Sequence, residues 1–241
     1  MHCFYIEPPR EGMARLPKDE AKHASKVLRL RPGDPVCAMD GAGGRWDAEI
    51  ASVDDGVTVR LLGALSANEP PVRVTVYQGV PKADKLELLA QKLTELGVSA
   101  LVPVRMSRSV TKLDERDGEK RRERLQRIAG EAAKQCRRGV PMRIGAPTDW
   151  RGAAEAMRVH DLLLVPWEDA RGRRVREAYF NHTDARDIGI VVGPEGGMSE
   201  AEVDALTTLG ALTVTLGPRI LRTETAAIAA SALAMACWGD L

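Results

Sequence analysis

The sequence predicts an α/β protein. A small β-rich domain over residues 1–70 precedes a larger domain, 71–241, built on a mostly parallel sheet. Three observations predict it. From residue 72 onward apolar runs alternate with helical spacing: Val72–Tyr77, then Leu86, Leu89, Leu93 and Leu96, then Val98–Val104. Strand, helix, strand is the order a parallel pair requires, because its strands need a crossover between them. Two Gly/Pro loops, 193–197 and 216–222, each stand between an apolar run and a helix start, where α/β proteins seat their ligands. Before residue 70 the runs are short and separated by Asp40-Gly41 and Asp55-Gly56, which are tight-turn signals.

Composition narrows the class. The chain has 241 residues, 44% hydrophobic and 29% charged, which suits a globular protein with a sizeable core. The net charge is +1, so any nucleic-acid binding rests on local patches. Cys3, Cys37, Cys136 and Cys237 form no CxxC pair, which argues against a zinc site or disulfide framework and for a reducing cytoplasm. Glu7 and Pro8-Pro9 break any signal peptide, and no run of about 18 apolar residues is available for a membrane span.

In order along the chain, residues 20–34 form a short helical segment running through Leu28-Arg29-Leu30-Arg31 to a stop at Pro32-Gly33. Lys22, His23, Lys26, Arg29 and Arg31 make it the densest basic patch of this half, either a solvated face or an RNA contact. Val36–Met39, Trp46–Ile50 and Val57–Leu62 read as strands, and 66–71 as a linker. Asp84 with Glu87 forms a capping box, and Gly97 ends that helix. Residues 105–118, with Arg105, Arg108 and Lys112, read as a polar loop. Residues 119–138 form a basic helix closed by the cationic turn Lys134–Gly139, which a solvated face or phosphate contacts would explain. Leu162–Pro166 is a strand, and 169–186 is charged and irregular.

The chemistry gathers at the two loops. Gly193, Gly196 and Gly197 permit positive φ and close approach of a ligand. Ser199 with Glu202 caps the next helix, which runs to Gly210. Arg222 is a fixed cation suited to a carboxylate, phosphate or developing anion. Thr223 or Thr225 can cap the Ala-rich helix that follows. Walker A, GxGxxG and GxSxG patterns are absent, and His2, His23, His160 and His182 lack metal spacing. A positioning site for a small polar organic cofactor is expected, with no metal.

Gly193-Pro-Glu-Gly-Gly-Met-Ser-Glu and Leu216-Gly-Pro-Arg-Ile-Leu-Arg-Thr-Glu-Thr-Ala226 resemble the SPOUT-class RNA methyltransferases. Within them the chain is similar to the 16S rRNA (uracil-N3)-methyltransferase family, RsmE. His23–Asp34 with Asp40-Gly41 resembles that family's PUA-like RNA-binding β-barrel, and Lys82–Val98 its first catalytic-domain helix. The resemblance implies a C-terminal trefoil knot, a homodimer, and S-adenosyl-L-methionine (SAM) as methyl donor. By the same likeness SAM lies between the end of the Leu164-Val165-Pro166 strand, Gly193-Pro194-Glu195-Gly196-Gly197, and the stretch Leu216, Gly217, Ile220, Leu221, Thr223 and Thr225. The implied substrate is a uridine in the decoding region of 16S rRNA within the assembled 30S subunit. Relatives usually show Glu-Gln-(Ser/Cys)-Gly-Arg where this chain has Lys134-Gln135-Cys136-Arg137-Arg138.

Uracil N3 carries a proton that must leave before or during attack. Arg222 is expected to stabilise the developing uracilate, with Glu195 or Glu224 accepting the proton or anchoring a neighbour. His23, Lys26, Arg29, Arg31, Arg105, Arg137 and Arg138 are expected to hold RNA. Two other readings stay open: a SPOUT enzyme acting on a ribose 2′-OH, and a non-catalytic ribosome assembly factor.

Overall fold

The computed structural model describes residues 1–82, 84–109 and 115–241, so Lys112 lies outside the described residues. It divides into two compact units, residues 1–69 with 133–141, and residues 70–132 with 142–241.

The first unit is a five-stranded sheet in the order β1-β3-β4-β5-β2. The strands are β1 (His2–Tyr5), β2 (Met13–Arg15), β3 (Pro35–Met39), β4 (Arg45–Ser52) and β5 (Thr58–Ala64). β1 runs parallel to β3, and the other pairs are antiparallel. The Glu7 N–H donates to the Arg15 carbonyl at 2.8 Å, drawing the two edges together so that the sheet curls around Phe4, Val36, Ile50 and Val59. Helix α1 (Lys18–Lys22) continues as a π-helical turn, His23–Val27. Helical structure stops there, short of the expected Pro-Gly. Leu28 and Leu30 alternate onto the core, a period of two that a helix cannot supply, and Arg29 turns the chain at φ 54°.

Residues 133–141 join this unit through carboxylates. Lys134 Nζ lies 2.6 Å from Glu20 Oε1, and Arg138 Nη2 lies 2.7 Å from Glu69 Oε2. The Val140 N–H donates to the other Glu69 oxygen at 3.1 Å. A 1–70 boundary misses this return because the pairing joins residues far apart in sequence.

The second unit is a seven-stranded parallel sheet ordered β12-β10-β11-β6-β7-β8, with β9 also on β7. Its strands are β6 (Arg73–Gly79), β7 (Ala100–Arg105), β8 (Arg143–Ile144), β9 (Thr148–Asp149), β10 (Leu162–Pro166), β11 (Asp187–Val192) and β12 (Leu212–Val214). Helices α2 (Lys85–Glu95), α3 (Glu115–Cys136), α5 (Val175–Asn181) and α7 (Thr223–Trp238) contribute to a core with Val74, Val76, Ile188 and Ile190. Helices α4 (Trp150–Met157) and α6 (Glu200–Thr208) pack with Tyr77, Val165 and Val191. Alternate residues of one strand thus serve different cores, as expected of a parallel sheet covered on both faces.

Helix α5 corrects the irregular reading of 169–186. Its charged sequence hides a short apolar face: Val175 and Ala178 are buried, and Tyr179 stands edge-on to Trp238. The Asp84 capping box does not form, because Glu87 pairs with Arg124 at 2.9 Å. Gly97 does end α2, at φ +90°, where a Cβ would meet Pro70 Cγ at 2.6 Å. His160 is structural: its rings of contact are Tyr77 Oη at 2.9 Å and Asp187 Oδ1 at 2.6 Å.

Candidate active site

Beyond the carboxyl ends of β10, β11 and β12 lies a cavity of about 420 Å³. Three segments line it: Pro166–Glu168 after β10, residues of 193–198 after β11, and Thr215–Thr223 after β12. Lys85 and Ala226 complete the wall from α2 and α7.

The first Gly/Pro loop folds back on itself. The Gly197 N–H donates to the Pro194 carbonyl at 2.9 Å. A Cβ on Gly193 would meet Gly197 C and Met198 N at 2.9 Å. Of the three glycines, Gly197 uses the positive φ they permit, at +70°. The expected cap on α6 forms: Glu202 Oε2 accepts from the Ser199 N–H at 2.8 Å and Ser199 Oγ accepts from the Glu202 N–H at 3.3 Å. Glu202 also accepts from the Ser107 N–H at 2.8 Å. Burial alone would raise its carboxyl, but these hydrogen bonds hold it below the ordinary carboxylate value.

The second loop is tied to the first. Thr223 Oγ1 donates to the Gly193 carbonyl at 2.6 Å and accepts from Gln78 Nε2 at 2.8 Å. Neither Thr223 nor Thr225 caps α7, whose N-cap position is Arg222; the Thr223 hydroxyl is committed to this buried tie. Close behind, a Cβ on Gly79 would come within 2.5 Å of Pro194 N and Cδ. The end of β6 and the loop therefore meet where no side chain intervenes.

An ionic tie runs beside the hydroxyl one. Lys85 Nζ lies 2.9 Å from Glu195 Oε1 and 3.1 Å from Glu224 Oε2. The Lys82 N–H donates to the same Glu195 oxygen at 2.9 Å. Burial would raise the Glu195 carboxyl, but the Lys85 ammonium and the Lys82 N–H hold it below its ordinary value. The hydrogen bond to Glu195 raises Lys85 above its own.

Gly193, Pro194, Glu195, Gly197, Leu216, Gly217, Ile220, Leu221, Arg222 and Thr223 all line the cavity. Leu164, Val165, Gly196, Glu224 and Thr225 do not. Leu164 and Val165 are fully buried in β10, and the Gly196 carbonyl accepts from the Arg108 guanidinium at 3.0 Å. Lys85, Gln78, Trp167, Glu168 and Arg219 were missed. Lys85 alone left a signal: a cation in the first turn of a helix, where the dipole favours an anion. Arg222 is exposed, and no carboxylate lies within ion-pair distance of it among the described residues.

Of the basic residues, His23, Lys26, Arg29, Arg31 and Arg137 are exposed on the first unit, and Arg105 is exposed at the end of β7 in the second. Arg138 is corrected: it is 5% exposed and held by Glu69, so its guanidinium is not offered to a ligand. Among the described residues no carboxylate, histidine and cysteine group could hold a metal ion, and no helix is long and apolar enough to cross a membrane.

The family comparison assigns this fold and site to the RNA methyltransferases. Residues 68–235 match the RNA methyltransferase domain family, and residues 16–62 match the RNA methyltransferase PUA domain. The chain is 35% identical to ribosomal RNA small subunit methyltransferase E of Bacillus subtilis, over 94% of this chain and 93% of that protein. It is 31% identical to the Aquifex aeolicus protein of that name, over 98% and 99% of the two. The crystal structure of the Neisseria gonorrhoeae ribosomal RNA small subunit methyltransferase E bound to S-adenosyl methionine superposes with a TM-score of 0.86, at 31% identity over 100% and 99% of the two chains. The chain belongs to the ribosomal RNA small subunit methyltransferase E family.

Proposed function

We propose that this protein transfers a methyl group from SAM to N3 of a uridine in the decoding region of 16S rRNA, within the assembled 30S subunit. In this reading it acts in the cytoplasm as a knotted homodimer. The cavity carries the proposal: three loops beyond parallel strands, two of them tied through Thr223, in a chain that matches its relatives over nearly its whole length.

The residues present fit SAM. Gly217, at φ +110°, has nothing within 4 Å of where a Cβ would stand, leaving room for a flat ring beside bare backbone. Ile220 is 83% exposed at the rim, an apolar surface that a bound ring would cover. Leu216, Ile220 and Leu221 would hold the adenine, and the 193–197 loop with Glu168 the polar end. SAM when bound supplies an electrophilic methyl group.

The remaining work belongs to the chain. Holding donor and acceptor in line lowers the barrier by prepaying orientation. Arg222, exposed at the cavity and free of carboxylate partners among the described residues, stabilises the charge that develops on the uracil O2 and O4 as the N3 proton leaves. The target base leaves its stack to reach the cavity, and the exposed cations of the first unit hold the surrounding RNA by its phosphates. Glu195 and Glu224 take the second of their expected roles and anchor a neighbour, Lys85, and the N3 proton passes to solvent water.

The test is methylation of small subunits lacking the modification, with labelled SAM and mass spectrometry of the product nucleoside. 3-Methyluridine is the expected product. A ribose-methylated nucleoside overturns the N3 assignment, and subunit binding without transfer overturns the activity. Arg222→Ala and Arg222→Lys should both lower kcat with little change in SAM affinity; wild-type turnover in both removes Arg222 from the mechanism.

A further inference from the structure

Lys85 stands apart from the expected site residues, yet it is where the two loops converge. Its ammonium lies 2.9 Å from Glu195 on the loop after β11 and 3.1 Å from Glu224 in the first turn of α7. The two carboxylates touch one nitrogen, so their contacting oxygens are within about 6 Å of each other. The Lys85, Glu195 and Glu224 side chains are 25%, 28% and 13% exposed, so solvent screens them only in part. Glu224 Oε2 is buried from solvent beside the Lys85 ammonium, so the Lys85 charge is its compensation.

We propose that Lys85 is a positioning residue for the SAM site: its ammonium clamps the 193–197 loop to the start of α7 by cancelling the repulsion between Glu195 and Glu224. The inference rests on the SAM reading above. Without the cation, two like charges face each other across the loops, and both loops line the cavity. The hydroxyl tie through Thr223 fixes the loop at Gly193, and Lys85 fixes it two residues on. Glu195 stays ionised through the same contact, and its role is as a counter-charge to Lys85.

The experiment is SAM titration by calorimetry across pH on the full chain, for wild type, Lys85→Met, Lys85→Arg and Lys85→Met/Glu224→Gln. Lys85→Met is expected to bind at least tenfold more weakly at neutral pH, and Lys85→Arg to recover most of the loss. Lys85→Met/Glu224→Gln should also recover affinity, because a neutral amide no longer repels Glu195. The pH dependence carries a sign. In wild type the Glu195 carboxyl lies below its ordinary value, so the clamp holds until pH falls through that lowered value. In Lys85→Met the Glu195 carboxyl loses the ammonium and keeps the Lys82 N–H and its burial, so it titrates at higher pH, and its protonation as pH falls removes the repulsion and recovers SAM affinity.

Unchanged or tighter SAM binding by Lys85→Met overturns the proposal. So does a loss that neither Glu224→Gln nor acid pH relieves, the pattern of a purely structural lysine. If Lys85→Met shows no cooperative melt, carbon NMR titration of Glu195 in wild type and Lys85→Arg decides: an ordinary carboxyl titration in both overturns the clamp. Failure of wild type to bind SAM removes the functional reading instead.

Discussion

Two basic stretches of the first unit look alike in sequence and differ in what they do with their charge. Lys26, Arg29 and Arg31 are exposed, and none has an ion-pair partner among the described residues. Lys134 and Arg138 sit at the end of a more strongly basic helix, yet both are taken up by Glu20 and Glu69. Of the three cations in this turn, Lys134, Arg137 and Arg138, Arg137 is the exposed one. The density of cations in a segment therefore does not measure the charge available to RNA. Burial and a carboxylate from a distant part of the chain decide that.

The comparison breaks first at Arg138. Arg138→Met leaves Glu69 without its cation in a largely buried setting, and the cost is expected to be about 3 kcal/mol, read as a drop in the urea midpoint. RNA affinity measured well below that midpoint should hardly move. A large loss of affinity with unchanged stability would show that Arg138 contacts RNA after all.

Arg137 sharpens it. This residue takes φ 62° at the end of α3, a conformation that costs a side-chain-bearing residue about 1 kcal/mol. Arg137→Gly should raise folding stability by about 1 kcal/mol while weakening RNA binding. A variant that is both less stable and equally tight would reverse the reading of this position.

The smallest stability effect is expected from Lys26→Gln/Arg29→Gln/Arg31→Gln, within about 0.5 kcal/mol of wild type. Its effect belongs to binding. The slope of log affinity against log salt should shrink by about 2 for RNA. An unchanged slope would place the RNA-holding charge elsewhere.

Much of the fold was legible because it depends on local pattern. Leu86, Leu89 and Leu93 announce α2, and Ser199 with Glu202 announces the start of α6. Helix α5 was hidden because only Val175 and Ala178 of it are buried, too few to show a period amid its charges. At the site, the loops could be read and their fastening could not. Thr223 reads as a cap until Gln78 and Gly193 come beside it. Lys85 and Glu195 are 110 residues apart, and nothing local to either names the other. Arg137 and Arg138 are neighbours with opposite exposure, a distinction set by the carboxylate of Glu69.

Gly79 has a consequence for how this sequence can drift. The Pro194 backbone occupies the space its Cβ would need, so one added methyl group displaces the loop that lines the cavity. Descendants of this gene can add a side chain at Gly63, where a Cβ would meet nothing within 4 Å. At position 79 they can inherit only the residue they were given, and a lineage that loses it must rebuild the loop to keep the enzyme.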